Sequence, residues 1–232
     1  MQHLLQVDRA LSHKADYVIM ALCLANDLYE NVTYNVYSHP KPYVKLSDNS
    51  DGFEVRGYPL PEHVESGSYI FGWTSRFRLV SLVKMYVDQR THEAPGQVDD
   101  FADIDAPVLY VPTDRIADPA QRQHVADTYR LNELIIAAMK RKIDAALGPD
   151  RFAVMLVPMR WDFPGNPPRP DAVHDTVAKG VLASLSRLGI PAIDGRAVLT
   201  PDDFWARDIH WRPSGHKKIG GQLGDFLGKL ID

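Results

Sequence analysis

The fold that we predict for this chain of 232 residues follows from the stretch Asp16-Tyr17-Val18-Ile19-Met20-Ala21-Leu22-Cys23-Leu24-Ala25-Asn26-Asp27. Residues 17–24 form a continuous apolar run of strand length, which is typical of a parallel strand buried on both faces. The run ends in the polar pair Asn26-Asp27. Open α/β sheets bind ligands at the carboxyl ends of their strands, so this pair marks a candidate site.

Outward from this strand, apolar segments alternate with amphipathic ones. We expect a helix over 3–14, an irregular region with one short hairpin over 31–70, helices over 74–90, 119–147 and 171–188, strands over 107–111, 152–157 and 190–194, and a last helix from Pro213. The helix over 119–147 has the clearest pattern, because its apolar residues recur at spacings of three and four. This alternation predicts one doubly wound α/β domain over 1–232, in which 29–106 is an irregular insertion with a helix.

Composition narrows the class of protein. A net charge of -4 argues against a nucleic-acid partner and against an electrostatic membrane anchor. The longest apolar stretch, residues 17–25, is shorter than the roughly 20 residues of a membrane span, so we expect no transmembrane segment. The opening residues have no signal-peptide pattern, and the compartment stays undetermined. The single cysteine, Cys23, lies in an apolar run and is predicted to be a core thiol.

Ester hydrolysis is the chemistry that the polar residues suggest. It needs a base, usually His, a carboxylate that orients the base, and donors for the developing oxyanion. Asp208 and His210 lie two residues apart just before the last helix, so in an extended loop both can face one cleft. Asn26 offers an amide donor. Taken singly, Asn26-Asp27 is also an ordinary turn sequence, and Asp208 with His210 is also an ordinary surface pair or cap.

Two blocks of the chain resemble the SGNH (GDSL-type) serine ester hydrolase family. Residues 17–28 are similar to the block in which a hydrophobic strand runs into a Gly/Ala-Asn-Asp turn. Residues 208–216, Asp-Ile-His-Trp-Arg-Pro-Ser-Gly-His, resemble the family's final block, Asp-x-His-Trp-Asn-x-x-Gly-His. Between them, residues 154–158 and 188–194 resemble family strands in the expected order.

The resemblance implies a three-layer α/β/α, flavodoxin-like fold with a parallel sheet. It makes Asn26 an oxyanion donor, His210 the general base and Asp208 its orienter. It also implies a small-molecule, lipid or glycan acyl ester as substrate for hydrolysis or acyl transfer, and no metal or organic cofactor.

The chain departs from the family in several places. One residue separates Asp208 from His210 where many relatives have two, so Asp203 is an alternative orienter, and Arg212 stands where Asn is common. No Gly-Asp-Ser occurs, and Ser66-Gly67-Ser68 is a poor imitation of it. We therefore expect the N-terminal Ser and Gly blocks to be missing, and this chain alone to turn over little or no ester. A truncated N-terminus or a partner chain that supplies the missing strands would explain the unpaired edge left at 17–24.

Several alternatives stay open. The chain could be a non-catalytic SGNH-like domain that binds a glycan or a protein. A metal site of Asp208, His210 and His216 is disfavoured, because metal hydrolases show denser ligand clusters, and His216 is expected to be a packing residue. Residues 160–162 either line a cleft or form a solvated loop. The helical glycines of the last helix are expected to pack closely on the sheet: Gly220, Gly221, Gly224 and Gly228.

Overall fold

A computed structural model describes residues 2–33, 35–36, 39–57, 113–163, 176–205 and 210–231. The helices are α1 (Gln2–Ser12), α2 (Asp27–Glu30), α3 (Pro119–Leu147), α4 (Thr176–Arg187) and α5 (Pro213–Ile231). The strands are β1 (Val18–Cys23), β2 (Asn35–Val36), β3 (His39–Pro40), β4 (Tyr43–Leu46), β5 (Phe53–Arg56), β6 (Phe152–Val157) and β7 (Ala192–Asp194). The predicted helix over 74–90 and strand over 107–111 lie outside the described residues.

Strands β1, β6 and β7 form a parallel sheet in that order. Val18 lies opposite Phe152 and Cys23 lies opposite Val157, so β1 and β6 pair over their full lengths. Strand β6 is central and is buried from Phe152 to Leu156, as its continuous apolar sequence predicts. The predicted mixed α/β architecture with a parallel sheet is thereby confirmed.

Helices cover both faces of this sheet because alternate residues of a strand point to opposite sides. Met20, Leu22 and Leu156 belong to one buried cluster, which also holds the apolar residues of α3 and α4. Met155 belongs to a second cluster, together with Ile219 of α5. The arrangement is compatible with an α/β/α layout. Among the described residues, no helix combines the length and the apolar character that crossing a membrane requires.

Helix α3 begins and ends where its sequence predicts. The Asp118 carboxylate accepts a hydrogen bond from the backbone N–H of Ala120 at 3.0 Å, and Pro119 occupies the first turn, where its missing N–H costs nothing. Gly148 ends the helix with a φ of 88°, a conformation that glycine adopts without strain.

A buried amide pair joins α3 to the turn after β1. The Asn132 side chain donates to the carbonyl of Leu28 at 2.9 Å and to that of Thr128 at 2.8 Å. Its oxygen accepts from the Asn31 amide at 2.7 Å. Buried polar groups require such partners, and the network fixes α2 against the middle of α3.

Two small antiparallel hairpins follow α2, where the sequence predicted one. Strand β2 pairs with β3, and β4 pairs with β5. The second hairpin packs onto the core through Val44 and Phe53, and the Val44 N–H donates to the Asn31 carbonyl at 2.9 Å. Residues 58–112, the rest of the predicted insertion, lie outside the described part of the chain.

The expected close packing of the four glycines in α5 is wrong. A Cβ atom built on Gly220, Gly221, Gly224 or Gly228 would meet nothing within 4 Å, so these residues line an open face of the helix. Gly215, in the first turn, is the tightly packed glycine of α5. Its Cβ would lie 3.0 Å from the Asp203 carbonyl oxygen and 3.1 Å from the Trp211 Cβ.

One substitution should therefore have opposite effects at two positions of α5. Gly221→Ala should stabilise the protein by up to about 1 kcal/mol, because alanine favours the helix and has room. Gly215→Ala should destabilise it by roughly 1–3 kcal/mol, because the added methyl group crowds the loop before α5. Urea unfolding of the two variants measures both changes, and stabilisation by Gly215→Ala would contradict the packing described here.

Candidate functional site

The loops that follow β1 and β6 meet at the carboxyl edge of the sheet. The pairing continues beyond the strands, since the Leu24 N–H donates to the Val157 carbonyl at 3.1 Å. Gly195 follows β7 at the same edge, and a Cβ there would lie 2.8 Å from the Leu156 carbonyl oxygen. Such an edge is where open α/β sheets place their ligands.

Asn26 lies at this edge and precedes the single turn of α2. Its side-chain nitrogen donates to Glu30 Oε1 at 2.6 Å. Its side-chain oxygen is buried and has no hydrogen-bond partner among the described residues. An amide nitrogen carries two hydrogens, so one remains for an oxyanion after the bond to Glu30 is made.

Asp27 fixes the turn from the other side. Its Oδ2 accepts the N–H of Cys23 at 2.7 Å, which occupies the last backbone donor of β1. Burial raises the pKa of the Asp27 carboxyl, against the opposing effects of the Cys23 N–H and of nearby His3. Burial also raises the pKa of the Cys23 thiol to about 12, so this thiol is protonated at neutral pH and is a poor nucleophile.

The second predicted block closes over the loop that follows β6. Phe204 and Trp211 form an antiparallel bridge, and Phe204 packs against Phe163 with 5.7 Å between ring centroids. The Trp211 indole N–H donates to the carbonyl of Pro158 at 3.4 Å, one residue beyond the end of β6. The His210 block therefore lies at the same edge as the Asn26 turn.

His210 is exposed, and its carbonyl accepts the N–H of Trp205 at 3.2 Å. His216 is exposed, and its ring lies edge-on to Trp211 with 5.4 Å between ring centroids. Asp208 lies outside the described residues, and its role as orienter of His210 stays a prediction.

Asp203, the alternative orienter, has a structural role. It is buried, and its Oδ2 accepts from the Thr200 N–H at 2.8 Å, from the Thr200 hydroxyl at 3.0 Å and from Lys218 Nζ at 2.6 Å. Burial alone would raise the pKa of Asp203, but hydrogen bonds from Lys218, Thr200 and Ser214 lower it to about 2. Through these bonds the Asp203 carboxylate fixes the start of α5.

The sequence left two roles open for residues 160–162, lining a cleft or forming a solvated loop, and the structure differs in part from both. Asp162 is buried, and its Oδ2 accepts the N–H of Met159 at 2.6 Å, so a solvated loop is wrong for this residue. Arg160 reaches over to the carbonyl of Trp205 at 3.5 Å. Asp162 thus caps the turn that begins at Met159, three residues before it. An acid at this spacing is the sequence signal for such a cap, and Asp203 follows Thr200 at the same spacing.

A separate cleft of about 570 Å³ lies between α3 and α4, and none of the described residues 24–30, 158–163, 204–205 or 210–211 lines it. There Glu133 accepts hydrogen bonds from the Ser184 hydroxyl at 2.7 Å and from Arg187 at 2.5 Å. These bonds join the two helices. In the described part of the chain, no group of three His, Cys, Asp or Glu side chains could hold a metal.

Comparison of this chain with protein-family models, with curated proteins and with solved structures gave no match. The resemblance to the SGNH family therefore depends on the two blocks quoted from the sequence. The structure adds that the Asn26 turn and the loop containing His210 lie at one edge of the sheet.

Asp203 should make folding stability depend on pH in acid. Its pKa is about 2 in the folded protein and near 4 when unfolded, so its contribution is present above pH 4 and is lost as pH falls toward 2. Asp203→Asn should lower the free energy of unfolding at pH 6 by roughly 1–3 kcal/mol and weaken its fall between pH 4 and 2. Urea unfolding across this range measures the difference, and parallel curves for both proteins would contradict the assigned role.

Proposed function

We propose that this chain carries the oxyanion donor and the general base of an SGNH-type ester hydrolase or acyltransferase with a doubly wound α/β/α fold. One observation carries the proposal: the Asn26 turn and the His210 loop, far apart in sequence, lie at the same carboxyl edge beside β6. This is the arrangement that a catalytic set drawn from two loops requires.

In the proposed reaction, His210 removes the proton from a serine hydroxyl as its oxygen attacks the ester carbonyl carbon. The Asn26 amide donates to the oxyanion that forms, a contribution worth roughly 3–4 kcal/mol of the barrier. When the intermediate collapses, His210 returns the proton to the departing alcohol. Water, or an acceptor hydroxyl in acyl transfer, then attacks the acyl-enzyme with His210 again as base. Asp208 would orient the imidazole.

The local contacts of Asn26 suit this role. The bond to Glu30 restricts the orientation of the amide, and Asp27 fixes the backbone of the same turn through Cys23. A donor whose orientation is set before the reaction stabilises the developing charge without a reorganisation cost.

The nucleophile is the part that these 232 residues do not supply, since they contain no Gly-Asp-Ser. Among the described strands none pairs with β1 on the side away from β6, and a serine-bearing strand would add there. Val18 donates to the carbonyl of Arg151, just before β6, and Leu24 donates to that of Val157. The N–H groups of Ile19 and Ala21 therefore point the other way, and no described strand pairs with them. We propose that a segment outside this sequence, or a partner chain, pairs there and brings the serine.

A non-catalytic binding domain is the second candidate function. The absent Gly-Asp-Ser favours it. In that case the same edge binds a glycan or a protein without turning it over.

Labelling with a fluorophosphonate, which reacts with activated serines, tests the proposed catalysis. The protein should be produced from the longest reading frame that contains this sequence. We expect rapid labelling of one serine, slowed by about 100-fold or more in His210→Ala, because the general base is lost. Asn26→Ala should slow it similarly through the lost oxyanion donor. His124→Ala is the matched control, since His124 is exposed on α3 and belongs to neither the Asn26 turn nor the His210 loop.

The outcomes separate the two candidate functions. Labelling that depends on His210 and Asn26 but not on His124 supports the hydrolase. A folded protein that is not labelled, or equal labelling of all three variants, contradicts the hydrolase and leaves the binding domain.

A further inference from the structure

An exposed tryptophan on a well-fixed backbone lies next to His210. Trp205 is 49% exposed, the most exposed of the large apolar side chains described. Its backbone is held on both sides, because its N–H donates to the His210 carbonyl and the neighbouring Phe204 is buried. An indole is thus presented to solvent by a backbone with little freedom to fold it inward.

The register of the loop puts Trp205 and His210 on one side. Phe204 is bridged to Trp211, and the Arg212 N–H donates to the Asp203 carbonyl at 2.7 Å. This pattern sets Trp205 directly opposite His210 on antiparallel backbones. Side chains of such opposite residues project to the same face, with about 5 Å between their Cβ atoms. A ligand on the indole therefore lies beside the imidazole.

Arg212 adds positive charge to this surface. Its guanidinium carbon lies 5.4 Å from the centre of the Trp205 ring, within the range of a cation–π contact. Its Nε is buried and has no hydrogen-bond partner among the described residues. The contact orients the indole and places a cation over one face of its ring. Guanidinium groups bind carboxylates and phosphates with a fixed geometry.

We propose that Trp205 and Arg212 form a substrate subsite for a sugar ring that carries a negatively charged group. The indole gives the flat, amphipathic surface on which a sugar ring stacks, and Arg212 pairs with the charge. A lipid chain or an apolar protein partner fits less well, because it requires a larger apolar patch. The other exposed apolar side chains described, Leu5 and Val55, belong to α1 and β5 and not to this loop.

This inference deepens the proposed function and rests on it for the placement of the ester next to His210. The sugar-binding step itself needs no nucleophile. Binding can therefore be measured on the protein produced from the longest reading frame, and its result is independent of whether the labelling experiment finds an active serine.

Titration calorimetry with two probes tests the subsite. One probe is an oligomer of galacturonic acid, and the other is the uncharged galactose oligomer of the same length and linkage. We expect the acidic oligomer to bind at least about tenfold more tightly than the neutral one. Trp205→Ala should weaken binding of the acidic oligomer about tenfold or more, through the lost stacking. Arg212→Gln should lower its affinity to that of the neutral oligomer.

Two controls keep a folding defect apart from a lost subsite. Leu5→Ala removes an exposed apolar side chain from α1 and should leave the affinity unchanged. Arg212→Lys keeps the charge and should retain part of the preference for the acidic oligomer, and the thermal unfolding midpoint of each variant shows that it is folded. Equal affinity for the two oligomers, no binding of either, or unchanged binding by folded Trp205→Ala would overturn the proposal.

Discussion

The parallel pairing of β1 with β6 is the constraint on which the rest of the described structure depends. Its register places Met20 opposite Val154 and Leu22 opposite Leu156, so these side chains enter the same cluster on one face. A slip of one residue would turn them to the opposite face, because strand side chains alternate. The register also brings the ends of the two strands level, and the polar loops after them become neighbours.

Three aspartates fix the turns at this edge by the same device. Asp27 accepts the N–H of Cys23 at 2.7 Å, Asp162 that of Met159 at 2.6 Å, and Asp203 that of Thr200 at 2.8 Å. Each carboxylate satisfies a backbone donor that a strand or turn leaves without a ladder partner. The acids most evident in the loops are therefore used for structure. Under the proposed function, Asn26 and His210 perform the chemistry, and both lie in loops that these aspartates fix.

Much of the fold follows from local pattern, and the site follows less completely. Helix 119–147 and strand 152–157 were predicted with the bounds that the structure gives, because caps and buried apolar runs mark their ends. The short hairpins over 35–56 carry too few residues to show a period. The role of Asp203 depends on Lys218, fifteen residues away, which a local pattern does not reveal. The packing of the four glycines of α5 was predicted wrongly, because sequence does not distinguish an open helix face from a packed one. Asp208 lies outside the described residues, so the Asp–His pair itself stays a prediction.

The His210 loop closes on the end of β6, at the same edge of the sheet as the Asn26 turn. Nuclear Overhauser contacts in solution between the Trp211 indole N–H and the ring protons of Pro158 test it most directly, because the indole donates to the Pro158 carbonyl. We predict strong contacts and slow exchange of the indole hydrogen with water. An indole hydrogen that exchanges freely and shows no contact to Pro158 would mean that the two blocks do not share an edge, and it would contradict the proposed site.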